Sequence, residues 1–443
     1  MKRIIILLVF LTIFGAILFS ILLQENKNKL TAPKAWFENP TTPAPNDVTP
    51  FTDKNVSDTA FHLWSWQKFL SLTRSNSDKA PFENLIQVDN YGNKIGPIIE
   101  LNDSTQAGSD AVLYDKSNRA VYYTIHFNQT MYDFQQKYQP VFAEIIQKYK
   151  THNNPDSAIQ AELKKSGLDT LNFPVGSYIL KTSWILASSL KSTEGYYVTN
   201  GFFPSDSNST KIEKIALIGM HIIGRVYNHP EFIWATYEHE GLAPSYNWNK
   251  KGYPTLNEII SDKDYVFYNA NTNFNNCPMN NMPCSPAQFN SVFSIYPNGV
   301  VRSFVGEQYP NEEDKRNGTY IVTLGQSVKK YLEKEKGVWK NYYYKGSAWL
   351  NAANSNFGPG NSTIGNLTNP SLKGARAISN ITMETYTQLF TTGIYTGGSM
   401  NCFGCHNTVD FNNPIVNGDS LSYNLCISHA FRNGVKQRIS SSK

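Results

Sequence analysis

Near the C-terminus two thiols and an imidazole stand in a fixed order, Cys402-Phe403-Gly404-Cys405-His406. Residues three apart meet on one side of a helical turn. Both sulfurs can therefore reach the two vinyl groups along one edge of a haem and add across them. The next residue, His406, is then held under the iron, where an imidazole nitrogen can ligate without a diffusional search; this spacing is the pattern of covalent haem attachment. With 5 Cys and 8 His in 443 residues, the pattern arises by chance in roughly one such chain in a thousand. Two other chemistries use paired thiols. A dithiol redox pair normally opens a helix after a strand in a βαβ setting, and the Gly- and Thr-rich stretch 390–401 offers no such pattern. A zinc site needs a second ligand pair, for which only Cys426 and His429 are at hand.

The second axial position is less plainly written. The 37 residues after His406 contain no Met, so a second ligand comes from upstream, from His429, or not at all. His221 is the first choice, because a histidine inside an apolar strand needs a partner for its ring nitrogens. Met383, His239 and His429 are the alternatives, each competing with an ordinary packing or surface role. His229 and His239 lie beside a strand end, where exposed loop roles are commoner, and Glu238-His239-Glu240, which has the composition of an acid/base group, is more simply read as a solvated strand end. Met400 stands too near Cys402 to cross to the other face of the ring. Cys277 and Cys284, separated by six residues that include Pro278 and Pro283, suit a loop disulfide in an oxidising compartment. Cys426 is then unpaired and reads as a small buried hydrophobe. No catalytic residue is assigned from the sequence.

With the motif in place, the chain resembles the c-type cytochromes over Cys402 to His406 and its Gly-rich approach. It departs from the common small cytochromes, which carry the motif early and a Met ligand far downstream. A longer resemblance runs through Trp64-Ser65-Trp66-Gln67-Lys68-Phe69-Leu70, Gly219-Met220-His221-Ile222-Ile223, His229-Pro230-Glu231-Phe232-Ile233-Trp234-Ala235-Thr236-Tyr237-Glu238-His239 and Asn380-Ile381-Thr382-Met383-Glu384-Thr385-Tyr386. These segments are similar to a large, functionally uncharacterised family of exported bacterial mono-haem proteins with a C-terminal motif. That resemblance implies one covalent haem c and a periplasmic protein built around it, with no established reaction.

The elements that must position these residues can be sketched from pattern. Lys2 and Arg3 precede Ile4 to Leu23, an uncharged apolar run of 20 residues that matches the thickness of a bilayer. It lacks the short core and small-residue cleavage site of a cleaved signal, so residues 1–29 are expected to be an uncleaved anchor with the body exported. Residues 30–55, with five prolines among small polar residues, read as an extended linker. Ser57 or Asp58 begins a helix through Leu72. Val112–Tyr114 and Ala120–Phe127 flank a hairpin turn at 115–118, and 128–150 is helical with a break or kink at Pro140. Strands are expected at 178–186, 215–223 and 232–237, the last two joined around His229-Pro230. A short helix at 325–334 and a strand at 338–344 follow. The architecture is α+β with a largely antiparallel sheet, divided into an exported body at 56–370 and a haem-binding segment at 371–443 packed on it.

Four of the 40 basic and one of the 35 acidic residues lie in the first 30 positions, leaving the rest of the chain near +2. Such a balance excludes the electrostatic footprint of a nucleic-acid-binding protein. The partners expected are a redox protein or a small-molecule electron donor or acceptor, with the membrane reached through the N-terminal segment. Electron transfer is the leading function; a haem-dependent, peroxidase-like oxidoreductase or a haem-based sensor, using the large body as a pocket, is the alternative.

Overall fold

The computed structural model describes residues 29–53, 55–96, 99–106, 111–149, 156–168, 172–203, 211–247, 254–277, 289–296, 311–351, 371–388, 402–406 and 424–441. The expected anchor at Ile4 to Leu23 lies outside the described residues. Among those described, no helix is long and apolar enough to cross a membrane.

Two strands rich in β-branched residues form the centre: β4 (Tyr178–Leu186) and β6 (Lys211–Val226). They pair antiparallel, and β6 is long enough to hold β5 (Val198–Phe203) along its first half and β7 (His229–His239) along its second. The sheet extends through β3 (Tyr122–Phe127) to β1 (Ile86–Val88) on one side and through β8 (Tyr342–Leu350) to β9 (Leu372–Gly374) on the other. Among the described strands only β2 (Ile99–Glu100), against β5, is parallel. The fold is therefore α+β with a largely antiparallel sheet.

Alternation along the strands sends successive side chains to opposite faces. Leu180, Met220, Ile222, Ile233, Ala235 and Tyr237 go to one face, where α1 (Asp58–Thr73) and α4 (Glu312–Glu335) cover them. There Phe69 stacks on Tyr237 at 4.3 Å, and Trp66 meets it edge-on. Helix α1 is buried nearly all round because the stretch at 30–51 wraps its outer side. Trp36 and Phe51 are buried, Asp47 accepts from Trp64 Nε1 at 2.7 Å, and the amides of Leu30 and Ala32 donate to Thr323 and Ser327 of α4. The residues read as a free linker are thus part of the packed body, since an apolar helix face needs cover.

Ile179, Ile223, Phe232 and Trp234 go to the other face. It is covered by α2 (Gln129–Tyr149), α3 (Asp156–Lys165) and α6 (His429–Ser441), with Phe142, Phe173 and Phe431 at the junction. Three expectations need correction. Helix α4 begins at Glu312, not near 325: Asn311 and Asp314 form a reciprocal capping box that fixes its start. The turn between β6 and β7 falls at Tyr227-Asn228, where Asn228 adopts φ 61°, and β7 already begins at His229. Val338–Asn341 is a 3-10 turn and the strand starts at Tyr342.

Candidate functional site

Cys402–Cys405 forms a single helical turn, α5, closed by the His406 amide donating to Cys402 O at 2.7 Å. Phe403 points inward, fully buried against Trp234. The two cysteines and His406 are half-buried. Burial pushes the Cys402 thiol up, with Glu384 and Cys405 adding to the effect. A disulfide-exchange pair instead needs a lowered thiol, so this environment does not favour the dithiol chemistry.

His406 Nδ1 lies 3.0 Å from Ile427 O. A carbonyl only accepts, so Nδ1 carries the proton and Nε2 keeps its lone pair for a ligand. The carbonyl comes from a 3-10 turn, Asn424–Ile427, immediately before α6. Helix α6 is tied in turn to α2, where Gln139 Nε2 donates to Ala430 O and Phe431 O at 3.0 and 3.1 Å. The His406 ring is steadied by Trp234 at 4.3 Å and His429 at 4.0 Å. Burial and the neighbouring His429 hold His406 well below the usual imidazole range, which keeps it neutral, as a ligand must be.

One cavity opens on this imidazole. Its floor is the second face of the sheet, with Ile125 and Phe127 of β3, Ile179 and Lys181 of β4, His221 and Ile223 of β6, and Trp234 of β7. The register places Lys181 opposite Ile125 on one side and His221 on the other. Glu384 enters from the segment 378–388. Its carboxylate accepts from the Asn380 amide at 2.7 Å and lies 3.4 Å from His221 Nε2. His221 Nε2 is buried and makes no hydrogen bond there. Glu384 stays below the usual carboxylate range: burial raises it, but His221, the Asn380 amide and Lys181 together outweigh that. Larger hollows of about 380 and 510 Å³ lie elsewhere, and neither contains a thiol or a second imidazole.

The proposed ligands sort cleanly against this geometry. His221 shares the cavity with His406. His429 shares it too, but stacks on the His406 ring at 23° and donates from Nε2 to Cys405 O at 3.1 Å. A ring stacked face to face on His406 lies on the same side of the cavity as that imidazole, not across from it. Met383 is fully buried in a separate cluster with Tyr123, Ile218 and Phe267. His239 is buried rather than exposed: it stacks on Tyr196 at 3.7 Å, with Nε2 facing Gly195 O and Nδ1 accepting from the Gly241 amide. Burial lowers it to about 4, and neither it nor Met383 lines the cavity. His229 is likewise buried, its Nδ1 on Glu231 Oε1 at 2.7 Å.

Glu238 is not solvated either. It is buried in an ion pair with Lys345 at 3.2 Å and accepts from the Ile381 amide at 2.9 Å. Cys277 is a buried free thiol, pushed up to about 12, with Sγ 3.4 Å from Asn273 O; its expected partner Cys284 and Met400 lie outside the described residues. Cys426 is buried among Phe403, Leu425 and Phe431, as expected.

Lys181, Glu384 and the Ile427 carbonyl are the site residues that sequence reasoning missed. A charged residue flanked by Leu180 and Thr182 in an apolar strand was the available signal for Lys181. Among the described residues, no group of three or more His, Cys, Asp or Glu side chains is gathered to hold a metal ion. The donor set suits a haem instead: two thiols on one turn, an imidazole with its distal proton fixed, a floor with several apolar side chains, and a second imidazole, His221, on the same cavity beside Glu384. No family model, no curated protein and no solved structure matches the chain.

Proposed function

We propose that this chain carries one haem c, bound through Cys402 and Cys405 with His406 on the iron, and acts as an exported electron-transfer protein. When bound, the haem supplies a one-electron couple whose potential depends on the axial ligands and burial. The chain's own residues would hold the ring covalently, orient His406 through Ile427 O, and exclude water with Phe403, Trp234 and the sheet floor. His221 is the side chain proposed for the second axial position. The observation that carries the reading is the one-turn helix, which presents both thiols and a His406 whose free nitrogen is Nε2. Membership of the exported mono-haem family, a periplasmic site, anchoring by residues 1–29, and a redox partner protein or small electron donor or acceptor belong to the same proposal.

A second reading rests on a specific feature. Lys181 and Glu384 put a cation and an anion beside His221 on the cavity wall, a polar lining that a haem-dependent oxidoreductase or sensor would use. The test is expression with cytochrome-maturation machinery, followed by haem staining after denaturing electrophoresis and a pyridine haemochrome spectrum. Wild type should stain and Cys402→Ala with Cys405→Ala should not; a colourless wild type overturns the proposal. Low-spin, six-coordinate iron in both oxidation states supports the carrier. High-spin iron that binds CO or peroxide supports the second reading.

A further inference from the structure

Lys181 is a half-buried lysine on the cavity wall. It stands in the middle of β4 with paired strands on both sides, so its stem rises from the sheet face into the cavity rather than along an exposed edge. Its ammonium lies 5.1 Å from the centre of the Tyr123 ring. Among the described residues no group accepts a hydrogen bond from Nζ. The two carboxylates that share the cavity attract the ammonium but take their hydrogen bonds from other donors. Glu384 takes the Asn380 amide and faces His221, while Asp103 takes the Asn90 side chain at 3.0 Å and both the amide and the hydroxyl of Thr105 at 3.0 and 2.8 Å. A cation with no hydrogen-bonded acceptor among the described residues, in line with His221 and facing the cavity of His406, suits an anionic oxygen in that cavity.

We propose that Lys181 is the anion-receiving group of the haem cavity, taking a carboxylate or small oxyanion next to the iron. This rests on the haem reading above. The same chemistry has two sources, a propionate of the haem itself or a free anion that enters the cavity. Either way Lys181 is a binding residue that the attachment motif does not announce.

The experiment uses the full-length, haem-loaded chain as wild type, Lys181→Met and Lys181→Arg. Haem staining of the wild type first decides the underlying reading on its own. Each protein is then titrated with sodium azide and with sodium nitrite while the Soret band is followed. Its midpoint potential is measured by spectroelectrochemistry, and the propionate bending bands are recorded by resonance Raman.

If a free anion is taken, the wild type shows saturable Soret shifts. Lys181→Met should then weaken binding tenfold or more and Lys181→Arg should restore most of it. If a propionate is taken, the anions leave the wild type unchanged. Lys181→Met should then lower the midpoint and move the propionate bands, and Lys181→Arg should restore both. A haem-loaded Lys181→Met that matches wild type in anion affinity, midpoint and propionate bands overturns the proposal. Should Lys181→Met load no haem, Lys181→Gln, which keeps length and polarity without charge, takes the same readouts.

Discussion

Removing Lys345 should unfold the end of the sheet that holds the Glu384 segment. Lys345 and Glu238 sit on neighbouring strands β8 and β7, with side chains only 1% and 2% exposed. Lys345 Nζ also donates to Ser294 Oγ at 2.7 Å, and Tyr343 OH donates to the same Glu238 oxygen. The other Glu238 oxygen accepts from the Ile381 amide, three residues before Glu384. Lys345→Met leaves a buried carboxylate with two neutral donors and no counter-charge, a change that costs roughly 3–5 kcal/mol. Against a total stability on the order of 5–15 kcal/mol, the loss is severe. Lys345→Met with Glu238→Gln removes both charges together and should cost about 2 kcal/mol less than the single change, because no orphaned charge remains. The assay is urea denaturation of wild type, both singles and the double, followed by tryptophan fluorescence. The coupling energy comes from the cycle. A Lys345→Met midpoint within error of wild type, or a double variant worse than the sum of the singles, would refute the reasoning.

Acid should weaken the fold well above the carboxylate range. His62 and His126 are fully buried and lowered by desolvation to about 4. Their neutral forms add stability that is complete above the unfolded value near 6.5, and this is lost as pH falls towards 4. Each is worth about 3 kcal/mol at most. Denaturation midpoints measured from pH 7.5 to 4.5 should fall steadily, and His62→Phe should flatten the slope; a flat wild-type profile counts against this. His221→Ala should convert low-spin haem to high-spin in the visible spectrum, whereas His239→Gln and Met383→Leu should leave the spectrum unchanged. An unaltered His221→Ala spectrum removes it as the second ligand. Gly374→Ala should yield little folded protein: Gly374 adopts φ 78°, and a Cβ there would lie 2.2 Å from Ser347 O and 2.3 Å from the Trp349 ring. Recovery of soluble Gly374→Ala with a wild-type circular dichroism melt would contradict that packing.

Much of the local architecture is legible without coordinates. Helix α1 follows from Phe61, Trp64, Phe69 and Leu72 recurring at helical spacing, and the turn before β3 from Asp115-Lys116-Ser117-Asn118, where Asn118 takes φ 57°. The turn at Cys402–Cys405 is local too: a thiol, two residues, a thiol and an imidazole fit in one helical turn, while the carbonyl that orients His406 comes from Ile427. Errors came where a residue's setting depends on what packs over it. Glu238 and His239 look like a wet strand end, yet β8 and the chain around Gly195 enclose them. The Pro-rich stretch at 30–51 looks like a spacer until α1 demands cover on its outer side.

By itself, then, the sequence determined an α+β chain with an antiparallel sheet and a short thiol–thiol–imidazole turn, on which the haem proposal rests. What only the tertiary structure decided is the company His406 keeps. Lys181 and His221 are forty residues apart and become neighbours through the register of β4 with β6, and Glu384 joins them from the far end of the chain. Strand register is set by pairing across the whole sheet, and a slip of β4 by one residue against β6 would send Lys181 and His221 to opposite faces. No local pattern carries that information, because the free energy that selects the register comes from the two buried faces together.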